Sequence, residues 1–226
     1  MQTKTLGTLI GVLVVVLLGA WIISTYHPAQ LPSAGTNATT TATSTLGQTV
    51  STPSITFSVP TDFGLATTPE QVLVKAYIPP CDTPFDYCLY YNGTAYKGTN
   101  FESAGLRIHR RTDLTSKSAC LTSQPTGYTG LTASTTAHET YSVSVFQPLG
   151  NAGAGHYASG ALYRLFFDST CYEFETRIGE TQFANYPAGT IKQFTDADRA
   201  AVLASLRAIL DDITITSTHT KVVFPE

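Results

Sequence analysis

Glu173 and Glu175 sit two residues apart in CYEFETRI, the spacing that puts two carboxylates on one face of a strand. Such a pair performs acid and base work when one member is desolvated, and His156 or His138 could join it as a hydrolytic base. On a solvated face the same carboxylates do nothing. In GLRIHRRTD, Leu106 and Ile108 alternate with Arg107, His109 and Arg111, so one side of that strand is apolar and the other basic. The basic side can dock a phosphate or carboxylate, or simply face water.

A third kind of chemistry is aromatic. Between Tyr77 and Phe101 lie Phe85, Tyr87, Tyr90, Tyr91 and Tyr96, and a tyrosine offers a flat apolar face beside a hydroxyl. The Tyr90/Tyr91 pair is the candidate contact for a sugar or peptide, the alternative being that the rings pack around a turn. His156 is carried by QPLGNAGAGHYASG, the longest glycine-rich passage. It is not GxGxxG and lies between two strands rather than before a helix, so it reads as a long inter-strand loop and not as a phosphate cradle. No HExxH, GxSxG, SxxK or P-loop occurs. The residues therefore point to binding more than to catalysis, with no cofactor and no metal.

These side chains need a place to work, and the N-terminus specifies one. From Leu6 to Ile23 no charge interrupts the chain, and a helix of that length covers roughly 27 Å of hydrocarbon. Lys4 precedes it, and no Lys or Arg follows before Lys75, so the positive-inside bias puts the N-terminus in the cytoplasm and the remainder outside. A cleavable signal peptide is the competing reading, but the apolar core is long and Leu18 occupies a position that cleavage wants small. The division that follows is a membrane anchor over 1–26, a tether over 27–54, an extracytoplasmic domain over 55–216 and a fraying tail over 217–226. The tether holds eight threonines, four serines and three prolines with no charge, a composition that cannot form a core.

Only 13% of residues are charged and the net charge is -3, which leaves no clustered Lys or Arg to release counterions from a nucleic acid. Outside the membrane, four cysteines can be oxidised. Three pairings are open; Cys81 with Cys88 and Cys120 with Cys171 is the favoured one, because CDTPFDYC places Pro84 between two aspartates as a closed turn would. Zinc spacing of the C-x(2–4)-C kind is absent.

Periodicity supplies the elements. Strands are expected at Ile55–Val59, Val72–Ile78, Leu106–Arg111 and His138–Phe146, with a central hairpin over Ala161–Ile178 turning at Asp168-Ser169. A short helix should run from Thr112 or Asp113 to about Cys120. A longer one should run from Asp196 to Leu210, capped by Thr195, with Val202, Leu203, Leu206, Ile209 and Leu210 on its buried stripe. The fold class is α+β, an antiparallel sheet with helices on one face, after a single transmembrane helix.

The opening ITFSVPTDFGL, the late CYEF hairpin and the closing LRAIL helix resemble small membrane-anchored proteins of bacterial envelopes and, more distantly, PsbP-like domains. The resemblance implies an accessory or binding module with a protein, peptide or glycan partner, and it supplies no functional residue. The expected function is thus a membrane-anchored extracytoplasmic binding module. Alternatives are an envelope hydrolase built on a histidine and a carboxylate, and a structural subunit of a membrane complex marked by a large exposed apolar patch.

Overall fold

The computed structural model describes residues 46–226, so the anchor and the tether up to residue 45 lie outside the described residues. In chain order the described elements are β1 (Leu46–Ser51), β2 (Ile55–Pro60), β3 (Phe63–Ala66), β4 (Tyr87–Tyr91), β5 (Phe101–Arg111), α1 (Lys117–Thr122), β6 (Ser134–Ala137), β7 (Ser142–Gly153), β8 (His156–Phe167), β9 (Thr170–Thr181), α2 (Asp196–Asp212), β10 (Thr214–Ile215) and β11 (Thr220–Lys221). Among these residues no helix is long and apolar enough to cross a membrane.

Antiparallel pairing dominates. A seven-stranded sheet runs in the order β3-β4-β5-β9-β8-β7-β6 and a four-stranded sheet in the order β1-β2-β10-β11. The longest strands of the large sheet form two consecutive hairpins, β7–β8–β9, twelve residues in each strand. Asp168 and Ser169 turn β8 into β9 with φ of 45° and 57°, the left-handed pair that a two-residue hairpin turn demands. Ala154 and Gly155 do the same between β7 and β8, with φ of 52° and 80°. The glycine-rich passage is therefore two paired strands and a tight turn, not a long loop. Glycine is tolerated there because one position needs it. A Cβ on Gly160 would lie 1.8 Å from the carbonyl oxygen of Thr176 on the next strand.

Both faces of the large sheet are covered. Leu106 and Ile108 of β5, Tyr172, Phe174 and Ile178 of β9, and Tyr163 and Leu165 of β8 point to one side. There they join Val202, Leu206, Ile209 and Leu210 of α2 and Ile55, Phe57 and Val59 of β2 in the main core. Thr195 caps α2, accepting from the Asp198 amide at 3.2 Å while Asp198 accepts from the Thr195 amide at 2.9 Å.

The opposite face carries Arg107, Glu173, Glu175, Arg177, Arg164 and Leu162, by alternation along the same strands. It is roofed by three pieces: a strap over residues 72–86, α1, and a loop that sets Tyr128 and Leu131 against Phe146, Leu149 and Leu162. The two helices thus lie on opposite faces rather than on one. Disulfides fasten two of the three roof pieces, Cys81 of the strap to Cys88 of β4 and Cys120 of α1 to Cys171 of β9.

Four further expectations are corrected. Residues 72–78 form no strand; Val72 and Val74 alternate because they pack on the sheet, not because they pair. The first strand lies within the expected tether, at Leu46–Ser51. The short helix starts later, capped by Ser116 accepting from the Ala119 amide at 3.1 Å. The C-terminal stretch does not fray: Val222 and Phe224 are buried in the main core and β11 pairs with β10.

Candidate functional site

The carboxylate pair is buried, and it is paired. Arg107 sits opposite Glu175 on the β5–β9 ladder, and His109 opposite Glu173. Arg107 Nη2 donates to Glu173 Oε1 at 2.6 Å and to Glu175 Oε2 at 2.8 Å, and its Nη1 donates to the carbonyl of Pro84 in the strap at 3.2 Å. Glu173 Oε2 takes Arg164 Nε at 2.9 Å and Arg111 Nη1 at 2.8 Å. Arg164 Nη2 is also 2.9 Å from that oxygen, but off the line of a hydrogen bond. Arg164 Nη1 donates to the carbonyls of Cys120 and Ser123, which ties α1 to the sheet. Arg177 bridges Glu175 and Asp82, and Arg111 also holds Asp113.

Four guanidinium groups thus meet four carboxylates, and the cluster is formally neutral. That balance removes the driving force for trapping a phosphate on the Arg107 face. Burial pushes the Glu173 carboxyl up, but attraction from Arg107, Arg164 and Arg111 outweighs it and holds the group below the usual carboxylate range. A general acid needs the opposite shift. Burial pulls Arg164 down, with Glu173 opposing it. A hydrogen bond from Arg177 holds Asp82 low, and an arginine bond holds Asp113 down to about 2. Above the cluster is a polar cleft of about 220 Å³ between the strap and Tyr128.

The other candidates fall in different places. Tyr90 and Tyr91, being consecutive, point to opposite faces; both are buried, Tyr90 against Gly64 and Tyr91 edge-on to Phe63 and Phe101. They offer no shared surface. His109 Nδ1 is buried 3.4 Å from Asp86 Oδ2, with no aligned hydrogen bond. His138 stacks on Tyr141. His156 lies at the rim of the sheet, where its Nδ1 meets Glu102 Oε2 at 2.8 Å. A histidine–carboxylate contact therefore exists, but with Glu102 and not with Glu173 or Glu175. Among the described residues no group of three His, Cys, Asp or Glu side chains is arranged to hold a metal ion.

A larger, mostly apolar groove lies on the α2 side. Beside the point where the β7–β8 ladder shifts register between Phe146 and Leu149 lies a groove of about 590 Å³. Pro148, Ala161 and Tyr163 wall it on the sheet side, and Leu203 and Leu210 on the helix side. Leu203, expected within the buried stripe, is instead 39% exposed and forms one lip. Arg199 and Arg207 stand at the ends, each already engaged. Arg199 forks onto Glu180, and Arg207 holds Asp211 together with the carbonyls of Phe224 and Pro225. The groove is apolar in character and its charges are balanced.

No family model and no curated protein matches the chain.

The groove was hidden from sequence reasoning because it forms between β8 and α2, segments whose packing no local pattern records. The ion cluster did leave a signal. Basic residues at 107, 109 and 111 and acidic ones at 173 and 175 share a two-residue spacing, which is what neighbouring strands of opposite charge would show.

Proposed function

We propose that the chain is a membrane-anchored extracytoplasmic binding module whose α2 groove takes up a small, mostly apolar ligand. The groove carries this reading. Its volume falls in the range of ligand clefts, its walls are aliphatic and aromatic, and Gln147, Ser159 and Thr176 supply a few polar groups. The two disulfides support an address outside the cytoplasm, where thiols can stay oxidised. The N-terminal apolar run supports the anchor, with the N-terminus cytoplasmic and the domain displayed outside.

Photolabelling of the full chain in intact cells with an alkyl diazirine tests the groove. Peptides containing Leu203, Leu210 and Pro148 should carry the label, and Leu203→Trp, which fills the mouth, should strip it from all three. Uniform labelling across the domain, or labelling unchanged in the filled variant, would sink the proposal. Protease added outside intact cells should remove the domain; full protection would overturn its address.

A further inference from the structure

β6 covers only the first part of the strand beside it. It pairs with Ser142–Val145, so from Gln147 to Gly153 β7 has β8 on one side and no strand on the other among the described residues. Ala154 and Gly155 close the hairpin as a two-residue turn, which makes Gly153 and His156 a hydrogen-bonded pair. Alternation then assigns the same bonding to Asn151 with Ala158 and to Leu149 with Gly160. The residues between them, Gly150 and Ala152, turn N–H and C=O away from β8. Neither residue's outward groups meet another backbone group among the described residues.

Proteins usually blunt such an edge with a lysine, a proline or a bulge. Pro148 and the register shift between Phe146 and Leu149 blunt the start of this one, but Gly150, Asn151, Ala152 and Gly153 are all exposed and uncharged. The same stretch borders the α2 groove, because Gln147 and Pro148 are exposed residues of the edge and also line the groove. Gly150 is the cross-strand partner of Ser159, another groove residue, and so lies on the groove's face of the sheet. It has no side chain to fill the space there.

We infer that the ligand of the α2 groove is a short uncharged peptide segment, laid along β7 as an added strand with an apolar side chain in the groove. This rests on the reading of the groove as an apolar site and names what fills it. A second main chain supplies donors and acceptors at the strand spacing that Gly150 and Ala152 present, and alternate side chains of an added strand fall on the groove's side. An apolar residue opposite Gly150 takes the room the glycine leaves. A charged one finds no counter-charge: Glu180 holds Arg199, Asp211 holds Arg207, and the edge carries no charge.

Panning a random octapeptide phage library over the full chain in lipid nanodiscs, with empty nanodiscs subtracted, tests this. Enriched peptides should be uncharged and apolar at alternate positions, and the best of them, synthesised with capped ends, should titrate saturably. Methylating its alternate amide nitrogens should weaken binding about tenfold or more in one phase and little in the other, because an added strand bonds through one edge. Leu203→Trp, which fills the groove, and Ala152→Pro, which removes an outward N–H from an edge that tolerates proline, should each weaken it as much. The methylated peptides carry the test whether or not either variant folds. Binding that Leu203→Trp abolishes but Ala152→Pro and both methylated peptides leave intact overturns strand addition and keeps the groove reading. Binding lost with Ala152→Pro but indifferent to Leu203→Trp overturns the groove reading and this assignment with it. So does a library without enrichment, and a dimer of the chain that Ala152→Pro dissolves makes a second copy the occupant and overturns the peptide.

Discussion

Arg164 and Glu173 face each other across the β8–β9 ladder, and the arginine side chain has 0% exposure and the glutamate 3%. Two charges so placed are stable only as a set with Arg107 and Arg111. Glu173→Leu leaves the buried Arg164 without a carboxylate and takes one of two from Arg107 and Arg111, and should cost about 3–5 kcal/mol. Arg164→Met leaves Glu173 two partners and should cost less. Urea unfolding of the two variants gives the order, and equal or negligible losses would refute the network as a structural unit.

Acid should unfold the domain by way of the same residue. A carboxylate held low in the folded state stabilises it above the ordinary titration range and loses that contribution as pH falls through the depressed value. Stability should be full at neutral pH and decline progressively below about pH 4.5. In Glu173→Gln the decline should be shallower, which thermal unfolding across a pH series would register.

Gly160→Ala places a methyl group against the Thr176 carbonyl, so β8 and β9 must part. The expected loss is about 3 kcal/mol or more. Gly153→Ala on the adjoining strand meets nothing within 4 Å and serves as the control, within about 0.5 kcal/mol of the parent.

The Cys120–Cys171 bond spans 51 residues and the Cys81–Cys88 bond only 7. By loop closure the first should contribute about 4 kcal/mol and the second about 2 kcal/mol. Alanine pairs at each bond, compared by denaturant midpoint, check the order.

Phe224→Ala should destabilise the domain by about 3–5 kcal/mol, because that ring is buried edge-on to Tyr163 and Phe174. A surface-like effect below about 0.5 kcal/mol would show that the C-terminal stretch is not part of the core.

The elements that could be read in the chain are those whose pattern answers to one partner. Asp168-Ser169 and the Thr195 cap are local chemistry, and both stand where the spacing puts them. Residues 72–78 alternate like a strand, yet their partner is a roofed sheet face, which alternation cannot distinguish from a ladder. The glycine-rich passage looked like a loop because glycine weakens strands; close approach at Gly160 is a tertiary fact that no local pattern carries. For the candidate site, the basic and acidic strands were visible but their burial was not, since each supplies the other's counter-charge only after β5 and β9 meet. Glu102 had no signal at all, lying 54 residues from the His156 that it meets at the rim of the sheet.

A sheet thatched on both sides keeps its middle out of reach of other molecules. Encounters are left to the α2 groove and to the perimeter, where turns and short segments can be rewritten without disturbing the ladder beneath them. The chain can therefore acquire a new specificity by altering a few residues around the hairpin tips, while the arginine–glutamate lattice inside goes on deciding only whether the domain holds together.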